Sequence, residues 1–100
     1  MKKRSNKLSK LEKYRFSIIT SDLEHCIICK KPKDNLHEVY FGKNRQLSMQ
    51  YGCVIPLCYT HHIAIHNTHS LDLVWKIKTQ EAFEKTYDID FIKIFGRNYK

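Results

Sequence analysis

Two short ligand pairs set the strongest limit on how this chain can fold. Cys26-x2-Cys29 and Cys58-x2-His61 share one spacing and are separated by 28 residues. In each, a single tight turn presents two side chains to a tetrahedral ion, and thiolate and imidazole are the ligands that Zn²⁺ prefers. A lone C-x2-C reads as a redox pair or as two buried thiols. The second pair at matching spacing points instead to a structural zinc site of three cysteines and one histidine. Cys53 is left over. Five residues before Cys58, it faces the other way along an extended strand and reads as a small buried hydrophobe. The weaker option is an all-cysteine site with Cys53 in place of His61.

At 100 residues the chain fits one domain with one modest core. In so small a core, metal binding contributes directly to folding free energy. Leu, Ile, Val and Phe make up 27 residues, too many for a disordered chain. No apolar run approaches the roughly 18–20 residues that cross a bilayer, and no apolar stretch follows the basic N-terminus as a secretory leader requires. The expectation is a soluble cytoplasmic protein, without membrane contact and without a disulfide framework.

The formal charge of +8 is unevenly placed. Lys2, Lys3, Arg4, Lys7, Lys10, Lys13 and Arg15 stand against Glu12 alone, so residues 1–16 hold +6 of it. A basic N-terminal arm on a near-neutral body (residues 17–100) is an electrostatic footprint for nucleic acid, with Lys2, Lys3, Arg4 and Lys7 as phosphate contacts. A solvated tail is the plainer reading of the same charge.

Hydropathy patterning predicts an α+β order. A short helix is expected around Leu8 to Tyr14, and a strand over residues 15–20 before the first cysteine pair. A strand over 36–41 ends at Gly42, a helix over 43–51 is closed by Gly52, and a strand runs over 53–57 with Pro56 at an edge. Tyr59 to Asn67 reads as a helix with three histidines, and Leu71 to Thr86 as the longest helix. Asp88 is the expected N-cap of a last helix, 89–95, stopped by Gly96. Trp75, Phe83, Phe91 and Phe95 are expected to clamp the C-terminal helices (about 70–96) onto the metal-bound hairpin.

His62 and His66 are four apart and share a helix face. His61 is rotated from His62 by about 100°, so sequence neighbours serve two sites: Cys58 and His61 point one way, His62 and His66 another. Such a histidine pair is a common half of a divalent-metal site, and alone it is more often an ordinary polar face. His37, with Glu38 beside it on the preceding strand, supplies a third candidate.

The string Cys26-x2-Cys29, then His37-Glu38-Val39, then Leu57-Cys58-x2-His61-His62-x3-His66 resembles the HNH endonucleases, also called ββα-metal or His-Me finger nucleases. The resemblance covers about residues 24–67, with His61 at the place of a cysteine. The tail from Phe91 to Tyr99 is similar to the end of short phage-encoded HNH-like proteins. The resemblance implies a small zinc-stabilised ββα-metal domain with C-terminal packing helices, and a metal-dependent DNA endonuclease of phage or prophage origin. It also implies a catalytic Mg²⁺, Mn²⁺, Ni²⁺ or Zn²⁺ held by His37, His62 and His66 near the scissile phosphate.

Two positions depart from the family pattern. The place of the histidine general base holds Glu38, a weaker base near neutral pH unless its pKa is raised. Two assignments stay open: Glu38 as base with His37 as ligand, or the reverse. Cys53 takes the place of the middle asparagine; Asn44 is the candidate substitute, Arg45 beside it a candidate phosphate ligand, and a solvated loop the alternative for both. The rival to an enzyme is a non-catalytic zinc-stabilised nucleic-acid-binding or recombination-accessory protein. A zinc-held protein-interaction module explains the cysteines but not the three histidines.

Overall fold

The chain was analysed as a computed structural model that describes residues 5–100, with side chains from residue 9 onward. Its elements are helix α1 (Ser5–Lys13), strand β1 (Asn35–Glu38), a 3₁₀ turn (Gly42–Asn44), helix α2 (Arg45–Tyr51), strand β2 (Val54–Leu57), and helices α3 (Tyr59–Asn67), α4 (His69–Thr86) and α5 (Phe91–Phe95). This is a small α+β fold around one two-stranded sheet. Among the described residues, no helix is long and apolar enough to cross a membrane.

Strands β1 and β2 pair antiparallel, with Asn35 opposite Leu57, Leu36 opposite Pro56, His37 opposite Ile55 and Glu38 opposite Val54. Proline is tolerated because of where its missing N–H points. The Pro56 carbonyl accepts from the Ile27 N–H at 2.9 Å, on the side away from β1, so the absent donor costs the ladder nothing. Strand β1 is shorter than the expected 36–41. After Val39 donates to the Cys53 carbonyl, the Ser48 hydroxyl accepts from the Tyr40 N–H at 3.1 Å and donates to the Tyr40 carbonyl at 2.7 Å. One side chain of α2 thus replaces the next rung and turns the chain off the sheet.

Residues 15–20 form no strand, contrary to their β-rich composition. Ile18 donates a single bond to the Gly52 carbonyl, while Ser17 Oγ accepts from the N–H groups of Ile19 and Thr20. The local hydroxyl captures the donors that a ladder would have needed. The packing still matters: Gly52 ends α2 at φ 76°, and a Cβ there would lie 2.5 Å from the Phe16 ring. Glycine serves both the left-handed cap and this close approach.

The core joins the sheet to the C-terminal helices. Tyr40, buried and central, has its ring 5.2 Å from Phe91, 4.7 Å from Phe95 and 5.2 Å from Tyr99, and its hydroxyl donates to the Lys76 carbonyl at 2.6 Å. Phe83, Phe91 and Phe95 are buried in the same cluster as Cys26 and Cys58, with Trp75 and Tyr51 packed against it. The aromatic residues near the sheet, Tyr40 and Tyr51, are therefore packing groups. Buried Gln80 donates to Asn98 and accepts from the Tyr99 N–H at 2.8 Å, which ties down the C-terminal tail. The last helix starts later than expected: Asp90, not Asp88, accepts from the Ile92 N–H and caps Phe91–Phe95, which Gly96 closes.

The basic segment does more than trail in solvent. Ser5–Lys13 of it form α1, joined to α2 by Glu12, which accepts from Arg45 Nη2 at 2.6 Å. Lys2, Lys3 and Arg4 lie outside the described residues, as does the Lys7 side chain.

Candidate metal centre

The cysteine pair sits in a tight loop between α1 and β1. The Cys26 N–H donates to the Lys31 carbonyl at 2.7 Å and the Lys30 N–H to the Cys26 carbonyl at 2.9 Å, with Lys30 in the left-handed region at φ 69°. The Ile27 N–H bond to Pro56 fastens this loop against β2. Cys58 follows β2 directly as the residue before α3, and His61 lies in the first turn of that helix. Strand, loop and helix therefore converge on one point.

Cys26, Cys29, Cys58 and His61 form a cluster that can hold a metal ion such as zinc. His61 Nδ1 lies 3.3 Å from Cys58 Sγ and 3.6 Å from Cys26 Sγ, and Cys29 Sγ lies 3.7 Å from Cys58 Sγ. With Zn–S near 2.3 Å and Zn–N near 2.0 Å, tetrahedral angles place two sulfurs about 3.8 Å apart and sulfur and nitrogen about 3.5 Å apart. These three distances are close to the edges of such a tetrahedron. They are far longer than the roughly 2.05 Å of a disulfide, and all four cysteines are free thiols.

The thiols carry the same message. Burial pushes Cys26 up, but the N–H groups of Cys58, Cys29 and Ile28 aimed at its sulfur outweigh that and bring it down to about 6, from an ordinary 9.0. At Cys29 the Lys31 N–H favours the thiolate, yet desolvation and the sulfurs of Cys58 and Cys26 hold its pKa above the ordinary value. A cation held among these sulfurs would offset the repulsion that raises Cys29. Cys53 stays out of the cluster. Burial pushes its thiol up to about 12, which makes it a neutral core residue.

His37, His62 and His66 form a second group, with one ligand atom from each within 4.8 Å of the others. His37 is buried on β1, and its ring centroid lies 5.6 Å from that of His62 and 5.5 Å from that of His66. The Nε2 atoms of His62 and His66 are 3.1 Å apart. Two nitrogens about 2.1 Å from one ion, at tetrahedral or octahedral angles, lie about 3.0–3.4 Å apart. Burial and the nearby His62 and His66 hold the His37 pKa down to about 4; burial and His66 likewise lower His62. Neutral imidazoles are lone-pair donors. Consecutive residues of α3, His61 and His62, thus belong to two separate groups.

Glu38 is not among these histidines. As the next residue along β1 it points to the opposite face, where Arg15 Nη2 lies 2.8 Å from one carboxylate oxygen and Arg45 Nε donates to the other at 3.1 Å. Arg45 is therefore shared between Glu38 and Glu12. Asn44 is turned toward the C-terminal helix, its Nδ2 donating to the Phe95 carbonyl at 3.2 Å. The Glu38 clamp left no trace in motif spacing, because Arg15 comes from the segment before the cysteines. Asn35, whose Nδ2 is 3.1 Å from His62 Nδ1, was missed too; its position two residues before His37, on the same strand face, was the available signal.

The chain matches no family model, no curated protein and no solved structure.

Proposed function

We propose that the protein is a metal-dependent DNA endonuclease of the HNH type. In this reading Cys26, Cys29, Cys58 and His61 hold a structural zinc, and His37, His62 and His66 hold a second divalent ion. The observation that carries it is the meeting of His37 from β1 with His62 and His66 from α3, beside but separate from the cysteine cluster. A structural zinc site explains four of these seven residues and leaves the histidine trio without a purpose. Three imidazoles that leave positions open are the donor set of a catalytic ion.

A divalent ion at that trio supplies Lewis-acid stabilisation of charge on a phosphodiester oxygen. The chain's own residues do the positioning. His37, buried and neutral, is a fixed ligand on the sheet, while His66 at the surface leaves the group open to a large substrate. Lys10 and Lys13 are exposed on α1, and the excess of basic residues draws a polyanion without regard to sequence. Glu38, Arg15 and Arg45 brace β1 against α1 and α2.

That brace also favours a second reading, a zinc-stabilised DNA-binding protein that does not cleave. The residue in the family's base position has both carboxylate oxygens engaged by arginines. One assay separates the two. Supercoiled, linear and branched DNA are incubated with zinc-loaded protein plus Mg²⁺, Mn²⁺ or Ni²⁺, or with EDTA. The enzyme reading expects metal-dependent nicking that falls at least 100-fold, about 3 kcal/mol in barrier, in His62→Ala and His66→Ala with zinc content unchanged. Binding without cleavage under every metal would establish the second reading.

A further inference from the structure

We infer that Asn35 is a positioning residue for the histidine group: its side-chain carbonyl accepts the Nδ1–H of His62 and so aims the bare Nε2 of that ring at a divalent ion. The inference rests on the histidine metal site proposed above and adds the group that orients it.

The geometry has three parts. Asn35 and His37 are two apart on β1, so both side chains leave the strand on the face that meets α3. The Asn35 amide lies 3.1 Å from His62 Nδ1. The other ring nitrogen of His62, Nε2, faces His66 Nε2 at 3.1 Å. His62 is therefore gripped at both nitrogens, by an amide on one side and by the ligand group on the other.

A neutral imidazole carries one proton. If Nε2 is to give its lone pair to an ion, the proton must sit on Nδ1, and Nδ1–H needs an acceptor. Asn35 is the side chain in reach. With its amide nitrogen turned to Nδ1 it matches the opposite tautomer, with the proton on Nε2. Turning the amide by half a rotation presents the oxygen and matches the metal-binding one. The two ends of the amide have nearly the same shape. The end that faces away from His62, Oδ1, is buried with no partner among the described residues, so no second bond seen there opposes the rotation. His62 alone decides which way Asn35 points. An amide can follow the ring in this way; a carboxylate at the same place would hold the Nδ1–H form permanently.

The test uses tag-free, full-length protein with its cysteine site loaded with zinc, titrated with Ni²⁺ by calorimetry. Asn35→Leu removes the acceptor at similar volume and is expected to weaken Ni²⁺ binding roughly 10- to 100-fold, with one zinc still bound per chain. Asn35→Asp, which can only accept, is expected to restore wild-type affinity or exceed it. A purely packing role for Asn35 does not predict that rescue. With Zn²⁺ filling the histidine site as well, histidine ¹⁵N shifts are expected to place the His62 proton on Nδ1. Leu and Asp variants that bind Ni²⁺ alike, or His62 ligating through Nδ1, would overturn the inference. If wild-type protein takes up no ion beyond the first zinc, this role and the histidine site both fall. If it binds Ni²⁺ in the expected order of variants yet never nicks DNA, the cleavage reading falls and the Asn35 role stands.

Discussion

His37 is a buried titratable group on β1, and this makes it a handle on acid stability. Burial, with His62 and His66 close by, sets its pKa near 4 against an ordinary 6.5. The unfolded chain therefore takes up the proton first as pH falls. The stabilisation from a neutral His37 is complete above about pH 6.5, shrinks below it, and is exhausted near pH 4. That depression corresponds to about 3 kcal/mol in total, of which about 2 kcal/mol is lost by pH 5. With the histidine group kept free of added divalent ion, urea denaturation at pH 7 and pH 5 should show wild type losing about 2 kcal/mol more than His37→Gln; equal losses would sink this account. Cys53 gives a second contrast at the same scale. Cys53→Ala should keep one zinc per chain at a cost of about 1 kcal/mol for the small core gap, whereas Cys58→Ala should lose the zinc. Zinc content by mass spectrometry of the native protein checks both.

At the level of elements, the fold was legible where a local signal and a tertiary partner agreed. Helix α3 and the turn at Gly52 agree with their sequence signals because spacing and cap chemistry act within one turn of chain. The strand expected at residues 15–20 had the right composition but no neighbour to pair with, and Ser17 offered its donors a closer acceptor. Strand β1 ended early because Ser48, distant in sequence, captured Tyr40. Both clusters could be read from spacing, since Cys58 and His61 lie within one turn at the start of α3, and His62 and His66 lie one turn apart along it. The Asn35–His62 contact left a weaker trace: its partners are 27 residues apart, and only the place of Asn35 two residues before His37 hinted at a shared strand face. The shifted N-cap of α5 follows the same logic. Asp88 and Asp90 carry the same cap chemistry, and the helix begins where Phe91 reaches the core. Asp90→Ala should therefore cost about 1 kcal/mol and Asp88→Ala close to nothing, read from thermal unfolding of each variant.

Across the whole molecule, the cysteine cluster and the aromatic core are one structure rather than two. Cys26 and Cys58 lie in the same buried cluster as Phe83, Phe91 and Phe95, and Tyr40 bridges from the end of β1 to α4 and α5. A change at the metal site therefore reaches helices that contribute no ligand to it. Apparent zinc-binding free energies in small zinc domains are about 10–16 kcal/mol at neutral pH. The net stability of a folded domain is only about 5–15 kcal/mol. With zinc in the cysteine cluster, removing it would withdraw an amount comparable to all the stability a 100-residue chain is expected to have. Titration with a strong chelator should abolish the near-ultraviolet signal of the Tyr40–Phe91–Phe95–Tyr99 cluster and the far-ultraviolet helix signal together, at one chelator concentration. Adding Zn²⁺ back should restore both. If the helix signal of α4 and α5 outlasted zinc loss, the C-terminal half would fold without the metal, and the cysteine cluster would be an appendage to the core rather than part of it.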